Sequence, residues 1–101
     1  MDSHKECSAN VEEEALRDLQ EVEQLVAYIP KHKDDTEFQG HLFELIDQLQ
    51  DLCPYTTRGG LIRKLVAQFG DAYFYFNQTG DLCFLTDFVK TAHSAESEFF
   101  Q

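Results

Sequence analysis

The stretch "AYFYFNQTGDLCFL", residues 72–85, decides the fold. A run of one alanine and four aromatics stands before Asn77, Gln78, Thr79, Gly80 and Asp81, and Leu82, Cys83, Phe84 and Leu85 follow. Aromatic side chains suit a pleated, half-buried surface, and a polar break containing glycine is a turn signal. The pattern therefore predicts a β-hairpin with Gly80 at positive φ. A three-residue loop over 78–80 would set Phe76 opposite Leu82 and Phe74 opposite Phe84. One face then carries Phe74, Phe76, Leu82 and Phe84, assigned to the core. The other carries Tyr73, Tyr75, Cys83 and Leu85, the candidate partner surface.

Upstream, the spacing predicts three helices. Asn10 and Glu13 read as a capping box, and Ala15, Leu19, Val22, Val26 and Ile29 recur at steps of four and three until Pro30. Thr36 and Gln39 form a second capping box. Phe38, Leu42, Leu45, Leu49 and Leu52 repeat the spacing up to Pro54. A third, shorter helix starts near Thr56 or Thr57 with Leu61, Ile62, Leu65, Val66 and Phe69 on its buried side, and Gly70 fits the position after its end. Downstream, Phe88, Ala92, Ala95 and Phe99 return to helical spacing. Three helices, a hairpin and a short C-terminal helix define an α+β domain. One compact unit over 10–100, preceded by a flexible 1–9, is the expected organisation.

At 101 residues the chain can bury roughly two-thirds of its unfolded surface and needs no disulfide or metal to fold. Hydrophobic residues make up 43% of it, with nine Phe and four Tyr, too many for a disordered chain. No run is apolar enough to span a membrane and the N-terminus is too polar for a signal peptide. Cys7, Cys53 and Cys83 are odd in number and far apart, which favours free thiols in a reducing compartment. Cytosol or nucleus is the expected address.

The net charge is −11. Residues 1–53 hold fourteen acids against four Lys and Arg, while the remainder hold five against four. An acidic field repels phosphate backbones, so nucleic acid is a disfavoured partner. Against that field stands a small basic island, Arg58, Arg63 and Lys64. The order of elements over about residues 10–89 resembles that of a winged helix-turn-helix, in which those three residues would start the recognition helix. The resemblance implies a hairpin wing, yet a wing that reads DNA carries Lys or Arg at its tip, and this tip is Asn-Gln-Thr-Gly-Asp. The aromatic strand is also faintly similar to the base-stacking strand of RNA-binding sheets, but lacks the basic and glycine residues around it.

Catalytic and metal signatures are missing from the sequence. His4, His32, His41 and His93 form no close pair with each other or with cysteine, so no metal and no cofactor are expected. The carboxylates fall on expected caps and loops rather than in an apolar pocket. A non-enzymatic interaction or adaptor module, self-associating, is the expected function. Its partner-binding residues would be Tyr73, Tyr75, Cys83 and Leu85, with Phe99 and Phe100 as a packing or docking end. No small-molecule substrate is evident. The alternatives are a nucleic-acid regulator using Arg58, Arg63 and Lys64, and an acidic decoy whose first helix imitates a phosphate backbone.

Overall fold

The computed structural model describes the backbone of residues 3–100 and the side chains of residues 11–98. Four α-helices carry the fold: α1 Ser3–Val26, α2 Thr36–Leu52, α3 Gly59–Thr79 and α4 Cys83–Glu96. Short 3₁₀ turns follow α1, α2 and α4, at Ile29–His32, Cys53–Tyr55 and Ser97–Phe100. Among the described residues there is no strand. The domain is all-α, and the expected α+β class, hairpin and winged-helix-like order are overturned.

The reason lies in the aromatic run. Ile62, Leu65, Val66, Phe69, Ala72, Tyr73 and Phe76 are buried in succession, the three-and-four spacing of a single helix face. The expected third helix does not stop at Gly70; it continues through that glycine for more than two further turns. A mid-helix glycine costs about 1 kcal/mol, whereas burying one large apolar side chain contributes roughly 1.5–3 kcal/mol. Phe69, Tyr73 and Phe76, on either side of Gly70, outweigh it. Strand alternation put Phe74 and Phe76 on one face, but two helical steps turn through about 200°. Phe76 is accordingly 4% exposed and Phe74 65%. Phe84 and Leu82 are also exposed, while Leu85 is fully buried, so the two expected hairpin faces do not exist.

The turn residues keep their local chemistry and change their service. Gly80 has φ 77°, as expected, but it ends a helix rather than linking two strands, donating its N–H to Phe76 O at 2.7 Å. Asp81 N–H donates to Thr79 Oγ1 at 3.1 Å, and Asp81 Oδ1 accepts from Cys83 N–H at 2.9 Å. Three residues thus close α3 and open α4, and so short a link folds the second helix back along the first.

The helices form a ring. α1 packs on α2 and α4, and α3 packs on α2 and α4. One apolar cluster fills the middle, with Phe69 and Phe88 meeting edge to face at 5.3 Å between ring centres. Among the described residues one acid is buried, Asp18 of α1 at 8% exposure, and its Oδ2 has no hydrogen-bond partner.

Helix starts differ from expectation in detail. α1 begins at Ser3, so Asn10 and Glu13 lie inside it rather than at its cap. Asp35 caps α2 instead of Thr36, accepting from Glu37 N–H at 3.0 Å and Phe38 N–H at 3.2 Å. Neither Thr56 nor Thr57 caps α3. Thr57 donates its N–H and hydroxyl to Glu12 Oε2 of α1, at 2.7 and 2.9 Å. Gly59 opens α3 under the preceding turn, where an added Cβ would stand 2.5 Å from the Cys53 carbonyl oxygen. Backbone cannot move aside as a side chain can. Gly59→Ala is therefore expected to cost about 2 kcal/mol in a urea titration followed by circular dichroism, while Gly60→Ala, in open space, should not destabilise.

Candidate functional site

Two features stand apart from the packed core. The first is an aromatic face centred on Phe74. The outward stripe of α3 runs through Ala67, Gly70, Phe74 and Asn77, all exposed. Phe43 of α2 and Phe84 of α4, 45% and 47% exposed, flank Phe74 on either side. Phe74 is the ridge between two grooves. The groove toward α4, about 540 Å³, is also lined by Tyr75, Phe84, Asp71 and Asp87. The groove toward α2, about 400 Å³, is lined by Phe43, Gly70 and Tyr73. Rings are braced within each groove: Tyr75 meets Phe84 edge to face at 4.7 Å, and Phe43 meets Tyr73 at 5.3 Å. Ala67 and Gly70 leave the floor low two turns and one turn before Phe74, and a Cβ on Gly70 would meet nothing within 4 Å.

Of the residues expected to bind a partner, the structure brings only some to this face. Tyr75 is half-buried and lines the groove. Tyr73 lines the other but is itself 7% exposed and stacked on Phe69, a core residue with one accessible edge. Leu85 is core. Cys83 is exposed at the first turn of α4. Desolvation and the neighbouring Asp81 push its thiol up, away from the reactive thiolate. The side chains of Phe99 and Phe100 lie outside the described residues. Phe74 and Phe84 went unassigned to a surface because alternation hid the helical stripe.

The three residues of the basic island differ in their surroundings. Arg58 Nε donates to Glu98 O at 3.0 Å, tying the start of α3 to the C-terminal turn. Thr57, beside it, is held by Glu12. Arg63 and Lys64 are exposed on the second turn of α3.

The second feature joins α1 to α4. Glu23 of α1 faces His93 and Glu96, which are three residues apart on α4. His93 Nδ1 lies 3.9 Å from Glu23 Oε1 and 3.7 Å from Glu96 Oε2. Gln20 Nε2 donates to Glu96 Oε1 at 3.2 Å. The Glu23 side chain is 10% exposed and shares a hydrogen bond with Glu96, with no N–H donor on its Oε2, whereas His93 is 79% exposed. Burial pushes the Glu23 carboxyl up to about 8, and Glu96 beside it adds to the shift. Burial opposes ionisation of Glu96 too, but the contacts with Glu23, Gln20 and His93 win and hold it below the usual range. Among the described residues no Lys or Arg pairs with either carboxylate. A groove of about 430 Å³ opens over the cluster. Residues seventy apart in the chain meet here, so no local spacing in the sequence could mark them.

Fold and surface together define the class as a small all-α domain of four helices bearing an exposed aromatic face. Compared with protein-family models, curated proteins and solved structures, the chain matches none. No described helix is long and apolar enough to cross a membrane.

Proposed function

We propose that the chain is a non-enzymatic protein-interaction module that docks a basic amphipathic helix across the face centred on Phe74. The observation that carries this is the exposure of Phe43, Phe74 and Phe84 side by side, with a groove on each side of Phe74. Phe74, 65% exposed, adds little to folding, and a contiguous apolar face on a small domain marks a contact surface. The groove shape suits a helix, whose apolar residues at i, i+3, i+4 and i+7 would straddle Phe74 while the low floor at Ala67 and Gly70 admits its backbone.

Charge selects the partner. Asp71 and Asp87 line one groove and exposed Asp47 stands one turn beyond Phe43 on α2, within a chain of net charge −11. Lys and Arg on the partner's rim would meet these acids. A second copy of this chain would bring Asp71 and Asp87 against their own kind, which weighs against the self-association expected from sequence. The acids do not favour nucleic acid at this face either.

A fluorescein-labelled Leu/Lys amphipathic peptide provides the probe, read by anisotropy. Phe74→Glu should weaken its binding at least about tenfold while leaving the melting temperature unchanged, because Phe74 contributes little to the core. The added carboxylate makes the protein more acidic, so purely electrostatic capture would strengthen instead; that result, or unchanged binding, overturns the proposal. Light scattering of the chain alone is expected to report a monomer.

A further inference from the structure

We infer that Glu23, His93 and Glu96 form a binding site for a divalent transition cation, Zn²⁺ foremost, which clips α4 onto α1. One oxygen or nitrogen from each of the three side chains lies within 4.8 Å of the others. A tetrahedral Zn²⁺ ion held at about 2.0–2.2 Å by His nitrogen and carboxylate oxygen sets its ligand atoms roughly 3.3–3.6 Å apart. The two distances from His93 Nδ1, 3.9 and 3.7 Å, close to that spacing with a small rotation of an exposed imidazole.

The buried member of the cluster is what points to a ligand. The Glu23 side chain is nine-tenths buried beside Glu96; the two acids share one hydrogen bond, and no N–H donor reaches Glu23 Oε2. Two neighbouring buried acids with no cation are costly to ionise together, because the second charge must form beside the first. A proton shared by the two glutamates relieves part of this, and a divalent cation would relieve it fully while recruiting His93. Gln20, donating to Glu96 Oε1, fixes that carboxylate with one oxygen left toward His93, the role outer partners play in metal sites. One nitrogen and two carboxylates suit Zn²⁺ or Mn²⁺ better than Mg²⁺, which favours oxygen ligands and keeps its waters. With His93 at the surface, water would complete the coordination.

The site is independent of the aromatic face, on the opposite side of α4 from Phe84 in sequence register. Its test is a calorimetric titration of the full chain with ZnCl₂, with MgCl₂ in parallel and Co²⁺ as an optical probe of nitrogen and oxygen ligation. One equivalent of Zn²⁺ is expected to bind, with a rise in melting temperature of about 5 °C or more at saturation. His93→Ala and Glu23→Gln should each weaken binding at least about tenfold. Glu23→Gln keeps the shape of the side chain, and its fold is checked by circular dichroism. Cys83→Ser should bind as the parent does. The absence of saturable Zn²⁺ binding would leave the two glutamates as a proton-sharing pair and overturn the site. Equal binding by His93→Ala and Glu23→Gln, or loss in Cys83→Ser, would place the ion elsewhere and overturn it as well.

Discussion

Phe76→Ala is expected to lose about 3–5 kcal/mol of stability, and Phe74→Ala, two residues earlier, less than about 0.5 kcal/mol. The pair separates a helix from a strand. In a strand both rings point to one face and both substitutions would cost alike. In α3 they lie about 200° apart, with Phe76 at 4% exposure among the core residues and Phe74 at 65% in solvent. Truncating Phe76 removes its buried surface and leaves a hole between α3 and its neighbours that relaxes only in part. A loss of that size is a large share of the 5–15 kcal/mol typical of small domains. Urea unfolding followed by far-ultraviolet circular dichroism measures both variants. Comparable losses at the two positions would contradict the helical assignment of residues 72–79.

The same pair shows why part of the fold was legible and part was not. The stripes of α1 and α2 repeat over about four turns with no run of adjacent aromatics, so periodicity alone places them. Residues 72–76 are aromatic at every position but one, and such a run satisfies both a two-residue and a 3.6-residue period. What separates the two is the stripe preceding it. Phe69, Ala72, Tyr73 and Phe76 continue the face begun at Ile62 in phase, but only if Gly70 is read as a helix residue rather than a stop. Gly80 was legible as a positive-φ position and ambiguous in use, because a left-handed glycine closes a helix as readily as it turns a hairpin. Asp81 resolves it: a side chain that accepts from the N–H two residues on starts a helix at Cys83.

The sites divide similarly. An excess of apolar residues at the surface was legible, yet its members were not, since a wrong period exchanges inward for outward residues. Tyr75 kept its place, whereas Leu85 moved to the core and Phe74 moved from core to ridge. The Glu23, His93 and Glu96 cluster had no signal in either element, because it exists only where α1 lies on α4. His93 and Glu96 at i, i+3 share one helix face, but that spacing becomes informative only with a third ligand from another helix.

Asp18→Asn is expected to stabilise the protein by up to about 3 kcal/mol at pH 7.5 and to change it little at pH 3.5. Burial, with Glu14 and Glu21 on the same helix adding repulsion against the weaker pull of Arg17, raises the Asp18 carboxyl from 3.8 to about 6. The folded state therefore holds this proton more tightly than the unfolded chain does. Below pH 3.8 the group is protonated in both states and costs nothing. Between pH 3.8 and 6 the unfolded state has released its proton and the folded state has not, so stability falls as pH rises. Above pH 6 the charge is buried and the loss is complete, about 1.4 kcal/mol for each unit of the shift. Asparagine keeps the size of the side chain and removes the charge. Glu23 contributes a slope of the same sign, but it is common to both proteins and cancels in their difference. Unfolding free energies of the parent and the variant at pH 3.5, 5 and 7.5 should diverge through that window and stay parallel above it. A variant less stable than the parent at pH 7.5 would mean that the Asp18 carboxylate is held by a favourable partner, and that its burial is not the penalty described.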